Sequence, residues 1–137
     1  MRTLDSFYSG QIKSKEWLIN NLDERVDHGV DIDIFGGWSG VLASMLFQSD
    51  MYIDKIRSID IDPTVRDTAI MMNKKEEIEG RFTALTADMC EISSNFDIII
   101  NTSCEHISQP QYDQWLSKIT PNTLIVLQSN KIGRAHV

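Results

Sequence analysis

The chain has 137 residues, 42% of them hydrophobic and 24% charged, which suits one domain with a core and excludes a disordered composition. Its net charge of -7 repels phosphate backbones, so a nucleic-acid partner would need a local basic patch. No apolar run reaches the roughly 18–20 residues of a membrane span, the start carries no apolar signal core, and Cys90 and Cys104 are too few for a disulfide framework, so the expected setting is a reducing cytosol.

Residues 14–27 are predicted as a helix with Ser14 as N-cap, Gly29 as C-cap, and Trp17, Leu18, Leu22 and Val26 on one stripe. Residues 30–35 read as a first strand, stopped by Gly36 and Gly37, and residues 41–48 as a short buried helix. A second strand covers 55–61. Pro63 then starts a helix over 64–75 with Val65, Ala69, Ile70 and Met72. A third strand at 81–86 and a fourth at 96–101 follow. A helix over 111–119 turns Tyr112, Trp115, Leu116 and Ile119 inward, and a fifth strand spans 123–128. Strands alternate with helices, and the second, fourth and fifth strands are apolar on both faces. That pattern predicts an α/β fold with a parallel sheet covered on both sides. Right-handed crossovers make it doubly wound, with the ligand outside the carboxyl ends of the strands, at the switch point beside the first. The final K-I-G-R-A-H-V, residues 131–137, lacks apolar periodicity. It is expected to be a non-native tail, resembling translated adapter, outside a single domain over residues 1–130.

Residues able to carry chemistry gather after the strands. D-I-F-G-G-W-S-G, residues 33–40, joins a strand to a helix. Glycines there let the backbone turn sharply and approach a ligand, and the helix aims free N–H groups at it; a tight turn with Trp38 as a packing residue is the other reading. S-I-D-I-D-P, residues 58–63, ends the second strand about two dozen residues later. A carboxylate there can take both hydroxyls of a ribose. Asp60 is the candidate, Asp62 reads as the cap of the helix begun by Pro63, and Ile61 suits either an adenine face or the core. In T-A-D-M, residues 86–89, Asp88 can accept from an exocyclic amine, although alone it reads as a turn or cap aspartate. In I-N-T-S-C-E-H-I, residues 100–107, the polar side chains Asn101, Ser103, Glu105 and His106 are expected to face the crevice, with Glu105 and His106 otherwise starting a helix. No Cys/His spacing suggests a metal site.

Taken in this order, residues 10–130 resemble class I S-adenosylmethionine-dependent methyltransferases. The likeness is greatest to small members found in bacteriophages and bacteria. In those, as here, G-Q-I-K-S-K-x-W-L precedes D-I-F-G-G-W, and I-N-T-S-C-E-H is followed by V-L-Q-S-N. The resemblance implies a Rossmann-like sheet in strand order 3-2-1-4-5 and bound S-adenosylmethionine. Its methionine part would lie over Gly36 and Gly37, its ribose at Asp60, and its adenine beside Ile61, Asp88 and Met89. Phe35, Trp38, Asn101 and Ser103 complete the implied cofactor site. Gln11 and Lys15 are drawn in by the N-terminal helix, with Lys15 either paired to the methionine carboxylate or solvated. The usual glycine pattern is D-x-G-x-G-x-G, and here Phe35 and Ser39 stand at the first and third glycine places. Complete members have two more strands, the last antiparallel. The chain is therefore expected to be C-terminally truncated, with strand 123–128 an apolar edge that pairs with a second copy.

The implied activity is methyl transfer, with Asn101, Glu105 or His106 as catalytic candidates that orient the acceptor or take its proton. The alternative is a module that sequesters the cofactor without turnover. A nicotinamide dehydrogenase expects a fuller G-x-G-x-x-G turn than this one. The net charge, and the lack of an N-P-P-Y-like string after the fourth strand, favour a small-molecule acceptor over nucleic acid. No membrane partner is expected, and the location is the cytoplasm, that of the host if phage-encoded.

Overall fold

A computed structural model of the chain describes residues 9–23, 29–103, 107–120, 123–128 and 135–136. One sheet organises them, in order β3-β2-β1-β4-β5-β6. Strands β1 (Val30–Phe35), β2 (Ile53–Asp60), β3 (Phe82–Thr86), β4 (Ile98–Asn101) and β5 (Leu124–Gln128) are mutually parallel. Strand β6 (Ala135–His136) runs antiparallel beside Leu127 and Gln128. The parallel strands thus take the expected order.

The pleat sends alternate side chains to opposite faces, and each face has its own core. Ile32, Ile34, Ile56, Ile98, Ile100 and Val126 meet Leu18 and Leu22 of α1 (Ser9–Asp23), Leu42 and Leu46 of α2 (Val41–Gln48) and Ala69 of α3 (Arg66–Met72). On the other face Phe35, Ile59 and Ile99 meet Cys90 and the fully buried Trp115 of α5 (Gln109–Ser117). A short helix, α4 (Lys74–Ile78), follows α3. Connections from β1 to β2 and from β2 to β3 therefore cover one face, and those on either side of β4 cover the other. The winding reverses at β1, so the crevice expected of such sheets opens at the carboxyl ends of β1 and β4.

Asp33 lies on the second face with no exposed surface. The Arg57 guanidinium grips it with two bonds of 2.7 Å, from Nε and Nη2, and the Ser94 hydroxyl donates to the same carboxylate. Hydrogen bonding to Asp33 raises the Arg57 pKa. The pair joins β1 to β2.

Several element boundaries differ from those the sequence predicts. The first helix starts at Ser9 rather than at 14, so Ser14 lies within the helix rather than at its N-cap; residues 24–28, with Val26, lie outside the described residues. Trp17 is 39% exposed, because the buried stripe of α1 runs through Leu18, Ile19 and Leu22, a turn of about 100° away. Strand β2 begins at Ile53 and stops at Asp60, which leaves Ile61 beyond the sheet. The helix expected over 64–75 starts as a 3₁₀ turn at Pro63–Val65 and breaks at Asn73, whose backbone leaves helical geometry (φ -121°, ψ 36°). Helix α5 begins two residues early. Ser108 and Gln111 form a reciprocal capping box around Pro110, which is tolerated in the first turn. Leu116 is exposed at 37% although its neighbour Trp115 is buried. Finally, Ala135–His136, within the 131–137 tail, form β6. Its pairing covers the Leu127–Gln128 end of the β5 edge.

Candidate functional site

The glycine turn sits where the winding reverses. Gly36 has a left-handed φ of +78°, and a Cβ placed on it would lie 1.8 Å from the Ser103 hydroxyl. Gly37 needs no special φ, but its Cβ would lie 1.8 Å from the Ser58 hydroxyl. Both glycines are thus demanded by serines of the protein itself, one from the loop after β4 and one from β2. A sequence reading that assigns them only to ligand approach misses Ser58. Trp38 carries a positive φ of 52°, an uncommon conformation for a bulky residue, kept where surrounding bonds enforce it.

Asp60 provides one such bond. Its Oδ2 accepts from the Trp38 N–H at 3.1 Å and its Oδ1 from the Asp62 N–H at 2.9 Å. The carboxylate is only 8% exposed, and it is oriented between the glycine turn and the end of β2. Asp62 does what the sequence suggests: it caps the 3₁₀ turn, accepting from the Thr64 N–H at 2.9 Å and from its hydroxyl at 2.6 Å. Ile61 is 66% exposed. The core reading of Ile61 therefore fails, and an apolar surface stands free beside Asp60.

Asp88 caps the turn Met89–Glu91, accepting from the Cys90 N–H at 2.9 Å. Asn101, at the end of β4, has no exposed surface. Its Oδ1 accepts from the Ser103 N–H at 2.8 Å, and its Nδ2 lies 3.6 Å from the Met89 sulfur. It braces the loop after β4 and ties it to the Met89 turn. Glu105 and His106 lie outside the described residues, as does Cys104. The Phe35 ring is fully buried and packs edge-on against Trp115 at 5.5 Å, so Phe35 can offer a ligand only its backbone. Its carbonyl already accepts from the Thr102 N–H. Ser39 is also fully buried. The two residues that replace the usual glycines are thereby kept out of the crevice.

Lys15 lies on α1 in the same helical row as Leu18, Ile19 and Leu22, and Gln11, one turn earlier, follows that row; its side chain is outside the described residues. Burial lowers the Lys15 pKa from 10.5 to about 8. Two residues that the sequence did not single out hold the turn. The Thr102 hydroxyl donates to the Gly36 carbonyl at 2.7 Å, and the buried Asn73 donates to the Gly40 carbonyl at 3.1 Å. The only sequence signal for either was a polar residue beside a strand end or inside a helix. A shallow depression lined by Trp38, Ser58, Val65, Ala69 and Thr86 among others lies beside Asp60. No group of three or more His, Cys, Asp or Glu among the described residues is disposed to hold a metal ion, and no helix there is long and apolar enough to cross a membrane.

No protein-family model and no curated protein matches the sequence. Solved structures do. A SAM-dependent methyltransferase from Geobacter sulfurreducens in complex with S-adenosyl-L-homocysteine matches with TM-score 0.65 and 15% identity, over 83% of this chain and 46% of that one. Its counterpart from Thiobacillus denitrificans, also with S-adenosyl-L-homocysteine, matches with TM-score 0.61 and 15% identity, over 80% and 46%. A protein from Methanococcus maripaludis, assigned as an S-adenosyl-L-methionine-dependent methyltransferase, matches with TM-score 0.73 and 12% identity, over 93% and 61%. This chain spans about half the length of the first two. It therefore has the Rossmann-like fold of the S-adenosylmethionine-dependent methyltransferases, with its glycine turn and Asp60 at that fold's switch point.

Proposed function

We propose that the crevice binds S-adenosylmethionine and that the chain serves methyl transfer to a small-molecule acceptor. The observation that carries this reading is the Asp60 carboxylate, fixed by two backbone amides beside the glycine turn at the carboxyl end of β2, where a ribose-binding acid is expected. The departures from the usual glycine pattern do not oppose it, because Phe35 and Ser39 turn inward. Gly36, Gly37 and the Trp38 backbone would border the methionine part, Ile61 and Met89 the adenine, and Asp88 its exocyclic amine, using oxygen lone pairs beyond the one its cap bond occupies. Lys15 would face the carboxylate end. The cofactor supplies a methyl group already activated on sulfonium, so the chain's own task is mainly to align the acceptor. Glu105 and His106 are the proposed groups for orienting the acceptor or taking a proton where one must leave; Asn101 acts by holding the loop that carries them. The net charge of -7 favours a small acceptor over nucleic acid, and the free, buried Cys90 suits a reducing cytosol.

Calorimetry with S-adenosylmethionine, S-adenosylhomocysteine and NAD tests the reading. Heat from the first two and none from NAD is expected. Heat from NAD alone, or from none of the three, overturns it. Transfer to a panel of small acceptors then separates turnover from cofactor sequestration.

A further inference from the structure

We propose that Thr102 is a positioning residue whose hydroxyl locks the glycine turn to the loop after β4, so that the cofactor and acceptor sides of the crevice are set together. This rests on the reading of the crevice as an S-adenosylmethionine site.

Two successive peptide planes of the turn are stretched between the ends of β4 and β2. In the first, the Phe35 carbonyl accepts from the Thr102 N–H at 3.0 Å while the Gly36 N–H donates to the Ile59 carbonyl at 2.8 Å. In the second, the Gly36 carbonyl accepts from the Thr102 hydroxyl at 2.7 Å while the Gly37 N–H donates to the Ile59 carbonyl at 3.2 Å. Three of these four bonds are backbone to backbone and survive any side-chain change. The fourth depends on a single hydroxyl, which also lies 3.2 Å from the Phe35 carbonyl.

That hydroxyl acts at a sensitive point. Gly36 is buried and left-handed, and a glycine can leave such a conformation more readily than other residues. Fixing its carbonyl selects the one orientation of the Gly36–Gly37 peptide that keeps the turn open beside Asp60. The Thr102 backbone in turn belongs to the loop braced by Asn101 and Ser103, and Ser103 fills the space beside Gly36. A shift of that loop is therefore transmitted to the turn through Thr102.

The test uses the full chain with two near-isosteric substitutions. Thr102→Val keeps the shape and the N–H but removes the hydroxyl; Thr102→Ser keeps the hydroxyl. Amide hydrogen exchange is followed without ligand, and S-adenosylhomocysteine affinity is measured by calorimetry. In Thr102→Val, exchange at Gly36 and Gly37 should accelerate while Ile32 and Ile34 in β1 stay as protected as in the wild type. Affinity should fall about ten-fold, a difference of about 1.4 kcal/mol. Thr102→Ser should remain within about two-fold of the wild type. Unchanged exchange in Thr102→Val, unchanged affinity, or a Thr102→Ser variant as impaired as Thr102→Val overturns the proposal. If Thr102→Val does not fold, Thr102→Ala is judged by the same measurements. A wild type that binds no S-adenosylhomocysteine would defeat the functional reading, and the exchange comparison would still decide the role of Thr102.

Discussion

Asp60 performs two tasks that its neighbour Asp62 does not. It holds the Trp38 N–H, and with it a strained turn, and in the proposed reading it takes the ribose hydroxyls. Asp60→Ala should therefore abolish cofactor binding in calorimetry and also lower thermal stability. Asp62→Ala loses mainly a cap, about 1 kcal/mol of stability, and should leave affinity nearly unchanged. The reverse ranking would show that the ribose acid is Asp62. Lys15 offers a second residue-scale test. Its pKa, lowered by burial to about 8, means that the folded state disfavours its charge. The unfolded chain binds more protons between about pH 8 and 10.5, so this contribution makes stability rise with pH across that window. Lys15→Met should raise the melting temperature at pH 7, with the gain shrinking as pH rises through the window. The same variant should weaken binding of a cofactor that carries a carboxylate. A substitution that is neutral for both would place Lys15 in solvent.

At the scale of elements, the two glycines of the turn are needed for different reasons, and a double-mutant cycle separates them. Gly37→Ala should destabilise by about 1–3 kcal/mol, as overpacking does, because its Cβ would meet Ser58. Adding Ser58→Ala should recover most of that loss, since the clashing oxygen is gone and the backbone of Gly37 is ordinary. Gly36→Ala should not be recovered by Ser103→Ala, because its φ of +78° stays costly for any residue with a Cβ. Equal recovery at both positions, measured by denaturant midpoints, would refute the distinction. The same reasoning explains the element boundaries. The capping box at Ser108 and Gln111 was written in the sequence as S-x-x-Q. The break at Asn73 was not, because it follows from a side chain reaching back to the carbonyls of Gly40 and Ala69.

For the whole molecule, we propose that the chain pairs through the outer edge of β5. Strand β6 covers the Leu127–Gln128 end, which confines the proposed contact to Leu124, Ile125 and Val126. The segment is apolar and uncharged, the character that makes a strand edge adhesive. Light scattering over a concentration series should show a mass rising toward that of a dimer. A monomeric mass at the highest concentration would mean that β6 and its flanking residues suffice to shield the edge.

What the sequence determined alone was whatever depends on local spacing: the alternation of strands and helices, the parallel doubly wound sheet (its strand order came from the family resemblance), the glycine turn followed about two dozen residues later by Asp60, and the capping role of Asp62. These survive because periodicity and turn chemistry act over a few residues, and right-handed crossovers leave few ways to arrange them. Only the tertiary structure decided which polar residues face one another. It turned Asn101 and Ser39 inward, exposed Ile61, put Ser58 against Gly37, and brought Thr102 and Asn73 to the two ends of the turn. Those contacts join residues 21 to 67 positions apart in sequence. They depend on how β2, β4 and α3 pack around β1, and no local pattern carries that information.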